Sequence, residues 1–331
     1  MLKCRFSKYI SYIIVICSLV LISFSGCGKD SRIILTTGFD EDELFRIDGL
    51  SCSRAEFMVY LTNIQDQYEL AFGKKIWDAD TGEMTLEQSL RQTVLARLAK
   101  IKMMNRMAEN LNIELSSDEK KRAEKAAETY YSSLSPEEIE AMGGVNKKTI
   151  TLMYNEYALA CKLYDQLTAD VDAEISDDEA RTVTVMQIKA SDRGTADSIL
   201  RRLKDGESFD AIAMSESETD DMILSVAGDY EDENVRTACF ALGEGELSNV
   251  VEGTDGYYIF SCLSTLDREQ TDLKKEKIAD ERREAAFNDS YNSFAEGKRC
   301  YLNEELYEKI VFTGGGNVDT ADFFDVYEKS F

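Results

Sequence analysis

Residues 240–260 read Phe240-Ala-Leu-Gly-Glu-Gly-Glu-Leu-Ser-Asn-Val-Val-Glu-Gly-Thr-Asp-Gly-Tyr-Tyr-Ile-Phe260. Leu242-Gly-Glu-Gly245 is turn-rich, because glycine enters backbone regions closed to other residues. A polar link follows. Gly256 to Leu263 is aromatic and apolar, which predicts a strand. Val235 to Leu242 reads as a short helix, and residues 215–234 as an acidic loop. Further upstream, Ser208-Phe-Asp-Ala-Ile-Ala213 predicts one helix. Gly194 to Lys204 predicts another, with Ile199, Leu200 and Leu203 on one face and Gly206 placed to end it. Thr182-Val-Thr-Val-Met-Gln-Ile-Lys-Ala-Ser191 alternates and is rich in β-branched residues, so it predicts a strand. Residues 181–266 are thus expected to form a small domain with an antiparallel sheet and flanking helices.

On both sides the period changes to that of helices. Ser53 with Glu56, Thr85 with Gln88, Ser116 with Glu119 and Ser135 with Glu138 have the spacing of capping boxes. Pro136, the only proline, falls at a first helical position, where its missing N–H costs nothing. Apolar stripes follow: Phe57, Leu61, Ile64 and Tyr68; then Leu86, Leu90, Val94, Leu98, Ile101 and Met104; then Leu152, Leu159, Leu163 and Leu167. Residues 44–180 are expected as a helical domain. Residues 267–312 are expected as a C-terminal helix packing on it, and 313–331, after Gly314-Gly-Gly316, as an acidic, aromatic tail. The fold class is α+β.

The N-terminus is a different material. Lys3, Arg5 and Lys8 precede the apolar run Ile13-Ile-Val-Ile-Cys-Ser-Leu-Val-Leu-Ile-Ser-Phe24, and Ser25-Gly26-Cys27 closes it. A spanning helix needs ~20 apolar residues, and this run is shorter. It reads as a secretion signal over 1–26, with 27–43 as a tether. The alternative is an uncleaved anchor. The net charge is −25, and loss of three cations with residues 1–26 makes it −28. A nucleic-acid partner needs a basic surface, so this balance argues against one. Past Cys27 the cysteines are Cys52, Cys161, Cys239, Cys262 and Cys300, without metal-like spacing. They read as small buried hydrophobes; a Cys239–Cys262 disulfide is the alternative.

Ser25-Gly26-Cys27 resembles the bacterial lipobox, which implies lipid on Cys27 and a membrane-tethered, extracytoplasmic protein. Phe240-Ala-Leu-Gly-Glu-Gly-Glu-Leu-Ser248 followed by Gly256-Tyr-Tyr-Ile259 resembles the end of parvulin-type (PpiC-like) peptidyl-prolyl isomerase domains. Lys204-Asp-Gly-Glu-Ser-Phe209 with Ala211-Ile-Ala213 resembles the helix pair after their first strand. Asn110-Leu-Asn-Ile-Glu-Leu-Ser-Ser-Asp-Glu119 and Asp172-Ala-Glu-Ile-Ser-Asp-Asp-Glu179 are similar to interdomain joints of PrsA/SurA-type foldases. The resemblance covers most of the chain past the signal. It implies unfolded or newly exported protein clients, no cofactor and no metal, and leaves a homodimer open.

The resemblance also assigns a site. Two parvulin histidines fall on Gln187 and Tyr258, and the accompanying Cys or Asp falls near Asp221, with Asp220 beside it. The apolar proline pocket maps to Met186, Val235, Phe240 and Leu247. One of its positions falls on Glu231, a costly charge to desolvate there. The chain has no histidine, so a Ser-His-Asp triad, a Cys-His pair and His-ligated zinc are all excluded. Walker and dinucleotide glycine motifs are absent as well. Gln and Tyr do not titrate near neutral pH, so the expectation is a weak or lost isomerase in a retained fold. A purely non-catalytic holdase is the first alternative; exposure of Phe57, Tyr60, Met103, Tyr130 and Tyr157 would favour it. A solute-binding or structural lipoprotein is the second, against which the long capped helices argue.

Overall fold

A computed structural model describes residues 33–35, 38–79, 82, 84–171, 174–312 and 318–331. The signal over 1–26, Cys27 and Gly314-Gly-Gly316 lie outside the described residues. The elements are β1 (Ile33–Leu35), β2 (Glu43–Ile47), β3 (Leu50–Ser53), α1 (Arg54–Phe72), a 3-10 turn at Lys74–Asp78, α2 (Leu86–Asn110), α3 (Ser117–Ser133), α4 (Pro136–Ala141) and α5 (Lys147–Leu167). Then follow α6 (Asp177–Ala180), β4 (Thr182–Ala190), α7 (Arg193–Lys204), α8 (Phe209–Glu216), β5 (Ile223–Ala227), α9 (Glu233–Phe240), β6 (Val251–Gly253) and β7 (Gly256–Ser264). The chain ends with α10 (Arg268–Ala295), β8 (Cys300–Leu302), α11 (Glu304–Glu308) and α12 (Phe323–Ser330). The fold is α+β. One compact unit joins the chain up to Ala169 with Ala286–Phe331; the other is Asp170–Ala285.

In the first unit all four capping boxes form, so α1, α2, α3 and α4 each start with two amide donors satisfied reciprocally. Phe57, Tyr60, Met103, Tyr130 and Tyr157 are all buried. They are core, not an exposed client surface. In α5 the expected leucine stripe is buried in part: Leu163 is fully buried, and Leu159 and Leu167 pack against the core. Leu152 is 47% exposed, and Ile150, Met153, Tyr154, Tyr157 and Cys161 face inward.

Three expectations fail at the ends of this unit. The segment after β7 is not one helix to residue 312. It stops at Ala295, Gly297 takes φ 73°, and β8 follows. β8 completes a four-stranded sheet in the order β1-β8-β2-β3. Part of the expected tether is therefore structural, because Ile33–Leu35 pairs in parallel with Cys300–Leu302. The expected tail is not loose either. α12 buries Phe323, Phe324, Val326 and Tyr327. Tyr154 stacks on Phe323 at 4.4 Å and donates from its hydroxyl to the Phe323 carbonyl at 2.8 Å. The Phe323 amide donates to Asn63 Oδ1 at 3.1 Å, and Asn63 Nδ2 donates to the Tyr130 hydroxyl at 2.6 Å. A non-local network supplies what the tail's own composition lacks.

A buried cation ties the core together. Lys102 Nζ of α2 donates to Glu56 Oε1 of α1 and Glu156 Oε1 of α5, both at 2.6 Å. Glu56 also accepts from the Ser53 amide at 2.7 Å. Burial pushes the Glu156 carboxyl up to about 7, while the two glutamates raise the Lys102 ammonium. Lys102→Met leaves two buried carboxylates unpaired and should lower stability by about 3–5 kcal/mol, measured by urea unfolding. Adding Glu56→Gln and Glu156→Gln to it should recover much of the loss.

Asp66 is a second buried acid. It is 3% exposed, and its Oδ2 has no hydrogen-bond partner among the described residues. Burial, then Glu69, Asp319 and Glu138, push its carboxyl up to about 7. A carboxyl raised in the folded state binds its proton more tightly than in the unfolded chain, so its contribution to stability falls as pH rises through that window. Asp66→Asn should therefore be close to neutral near pH 4. Its advantage should grow to on the order of 1–3 kcal/mol above pH 7, as read from unfolding midpoints across pH.

Candidate functional site

The second unit is built on an antiparallel sheet in the order β5-β4-β7-β6. Strand alternation divides its side chains between two faces. One face carries Val183, Val185, Gln187 and Lys189 of β4 and Cys262, Phe260 and Tyr258 of β7. Val235, Cys239 and Leu242 from α9 and the turn after it cover it. The other face carries Met186 and Ile188 opposite Ser261 and Ile259. Ile199, Leu200 and Leu203 of α7 and Ile212 and Ala213 of α8 cover that one. The Leu242-Gly-Glu-Gly245 segment makes a turn, with Gly245 at φ 77° donating its amide to the Cys262 carbonyl at 2.8 Å. Ser248 then pins the link to β7: its amide donates to the Phe260 carbonyl and its hydroxyl accepts from the Phe260 amide, each at 2.9 Å.

Gln187 and Tyr258 lie on the same face but do not meet. Gln187 is opposite Phe260, and Tyr258 is opposite Lys189. The buried Gln187 amide donates from Nε2 to the Asp221 carbonyl at 2.7 Å. The Asp221 side chain is exposed, so only its backbone takes part. The Tyr258 hydroxyl donates to Asp255 Oδ1 at 2.6 Å, and its ring stacks on Phe260 at 5.7 Å. Lys189 ion-pairs with Asp255 and holds its ammonium 5.8 Å above the Tyr258 ring. Burial and then Asp255 raise the Tyr258 phenol; Lys189 lowers the Asp255 carboxyl; Asp255 raises the Lys189 ammonium. Every one of these shifts moves titration away from neutrality, so the cluster holds fixed charges.

The four residues assigned to a pocket are not brought together. Val235 and Phe240 pack on the Phe260 face, whereas Leu247 packs with the Ile188 cluster, and Met186 shares that opposite face. The Phe240 ring is covered by the Arg181 guanidinium at 5.1 Å, and Glu231 is exposed. Cys239 and Cys262 are both buried and free, and burial pushes the Cys239 thiol up to about 12. Such a thiol is a packing group rather than a nucleophile.

Three residues of the cluster were not foreseen: Lys189, Asp255 and Gly253. A signal for each was present. Lys189 is two residues beyond Gln187, hence on its face. Asp255 belongs to the Thr254-Asp255 turn, since the β6–β7 pairing closes at Gly253 opposite Gly256. Gly253 lies under the tyrosine: a Cβ there would fall 2.7 Å from Tyr258 Cε2. β5 was also missed, in the stretch expected as an acidic loop. It is a short edge strand with an exposed, charged flank.

This geometry is that of a parvulin-like sheet domain joined to a capped helical unit. Comparison with known proteins agrees. Residues 1–133 match the SurA-like N-terminal domain, and residues 172–277 match the PPIC-type PPIASE domain. The foldase protein PrsA of Caldanaerobacter subterraneus subsp. tengcongensis is 26% identical over 231 residues, 64% of this chain and 70% of that protein. Among solved structures, the peptidylprolyl isomerase PrsA of Bacillus cereus aligns over 91% of this chain and all of that one, at 16% identity and a TM-score of 0.38. A SurA-like chaperone of Campylobacter jejuni aligns over 79% and 99%, at 14% identity and 0.30. The two domain matches and the sequence relative support a PrsA/SurA-like foldase.

The placement of the site residues has a direct test. Gln187→Met strands the inward Asp221 carbonyl and should cost about 1–3 kcal/mol. Asp221→Ala, which keeps that carbonyl, should cost less than about 0.5 kcal/mol. Denaturant unfolding of the two variants gives the comparison.

Proposed function

We propose that this chain works as a lipid-anchored foldase that handles unfolded exported proteins by binding, with peptidyl-prolyl isomerisation weak or lost. The observation behind the loss is that Gln187 and Tyr258 are each engaged by a neighbour, Asp221 and Asp255, instead of facing a shared substrate position. The X–Pro barrier is ~20 kcal/mol, and lowering it requires the twisted amide to be bound better than the planar one. A ring on Phe240 held by Arg181, with Met186 and Leu247 on the opposite face, offers no such differential pocket. The anchor follows from Ser25-Gly26-Cys27 after an apolar run. No helix among the described residues is long and apolar enough to cross a membrane.

Cys27→Ser should move the protein from the membrane fraction to the soluble extracytoplasmic fraction, as followed by fractionation and immunoblot. For the activity, the chain from Gly28 onward is assayed on short X–Pro peptides beside a parvulin that has both histidines. The expected result is no acceleration over background, with suppressed aggregation of a reduced client. Acceleration that disappears in Val235→Glu would show a working pocket and overturn the proposal. Neither activity would remove the foldase reading.

A further inference from the structure

A groove of about 770 Å³ lies in the helical unit, and none of the residues lining it is one assigned to the isomerase site. One wall is the end of α1, with Tyr68, Leu70 and Phe72; the other carries Asp319, Asp322 and Asp325 before and within α12, with Glu138 between. Leu70 is 75% exposed and Phe72 50%. Large apolar side chains this open are usually scattered singly; here two line one cavity. No lysine or arginine is among the described residues that line it.

The walls are fixed before any ligand arrives. Gln67 Nε2 donates to the Ala321 carbonyl at 2.9 Å, clamping the last segment to α1. The Tyr130 hydroxyl lies 3.2 Å from Thr320 Oγ1. Asp66, one helical position before this wall, is buried with an oxygen lacking any hydrogen-bond partner, and it feels the field of Asp319 and Glu138. Lys74 and Lys329 offset part of the repulsion at Asp66 and Asp322 from outside the lining, but the lining carboxylates still raise one another's free energy. A cation delivered to this groove relieves that repulsion, and apolar side chains beside it gain by covering Leu70 and Phe72.

We infer that this groove binds client segments in which lysine or arginine alternates with large apolar residues. The inference rests on the foldase reading and adds the class of client that the helical unit selects. Charge complementarity decides the occupant. An acidic segment meets Asp319, Asp322 and Asp325 head on, and a purely polar basic segment leaves Leu70 and Phe72 in water.

The test is fluorescence anisotropy with three short labelled peptides, alternating Lys/Leu, Lys/Gln and Glu/Leu, at physiological ionic strength. The Lys/Leu peptide should bind at least about tenfold tighter than either of the others. Leu70→Ser/Phe72→Ser and Asp322→Asn/Asp325→Asn should each weaken it by about tenfold, and Glu114→Gln/Glu124→Gln, which neutralises exposed acids outside the groove, should change it by less than about twofold. Equal losses in the control pair would make the binding general acidity and overturn the groove. Undiminished binding in both groove variants would do the same. If the wild type suppresses client aggregation yet binds none of the peptides, the groove fails while the foldase reading stands. If the Lys/Leu peptide binds as expected and aggregation is not suppressed, the groove stands and the foldase reading fails.

Discussion

The helical unit depends on one buried cation. Lys102 reaches from α2 to carboxylates on α1 and α5 at equal distance. Taking a lysine out of water costs several kcal/mol unless its protons find acceptors, so the three helices have one arrangement in which that cost is met. Glu56 is also the acceptor of the Ser53 capping box, so the same carboxylate sets where α1 begins and where α2 crosses it. Local helix initiation and tertiary packing are thereby fixed by one group. The surplus acid is tolerated because Glu156 holds its proton up to about pH 7.

What could be read in the sequence follows the range of the interactions. Each capping box closes within four residues, so the starts of α1, α2, α3 and α4 were legible before any fold was known. β8 was not: Cys300-Tyr-Leu302 is three residues long, and nothing in it announces partners more than 250 residues earlier. The same holds for α12. Read alone, its acidic and aromatic run resembles a solvated tail, and only Asn63, Tyr130 and Tyr154 turn Phe323 into core. Of the α5 leucines only Leu152 points outward, for a related reason. Periodicity reports that a face is apolar, but the stripe buried is the one its neighbours can pack.

The site was legible to the level of strand parity and no further. Gln187 and Tyr258 belong to one face of the sheet because the register pairs Gln187 with Phe260 and Lys189 with Tyr258. Alternation puts Met186 on the other face from Gln187, and the packing of α9 on the Gln187 face is what separates it from Val235. Which groups finally meet depends on two turns. The Asp221 carbonyl comes to Gln187 where the chain enters β5. Asp255 comes to Tyr258 from the tip of the β6–β7 hairpin. Neither contact has a periodic signature.

These contacts explain how the sheet persists without histidines. A buried polar side chain costs the fold only what it leaves unpaired. Gln187 Nε2 finds a carbonyl, and the Tyr258 hydroxyl a carboxylate that is itself held by Lys189, so each has a partner in the sheet domain. Catalysis asks for something different: donors and acceptors whose partners are absent until the substrate's twisted amide supplies them. The Gln187 Nε2 donor and the Tyr258 hydroxyl already have protein partners in the resting structure, which is the observation the proposed loss of catalysis rests on. Gly253 under the Tyr258 ring shows the accommodation reaching the backbone, since any side chain there would displace the tyrosine.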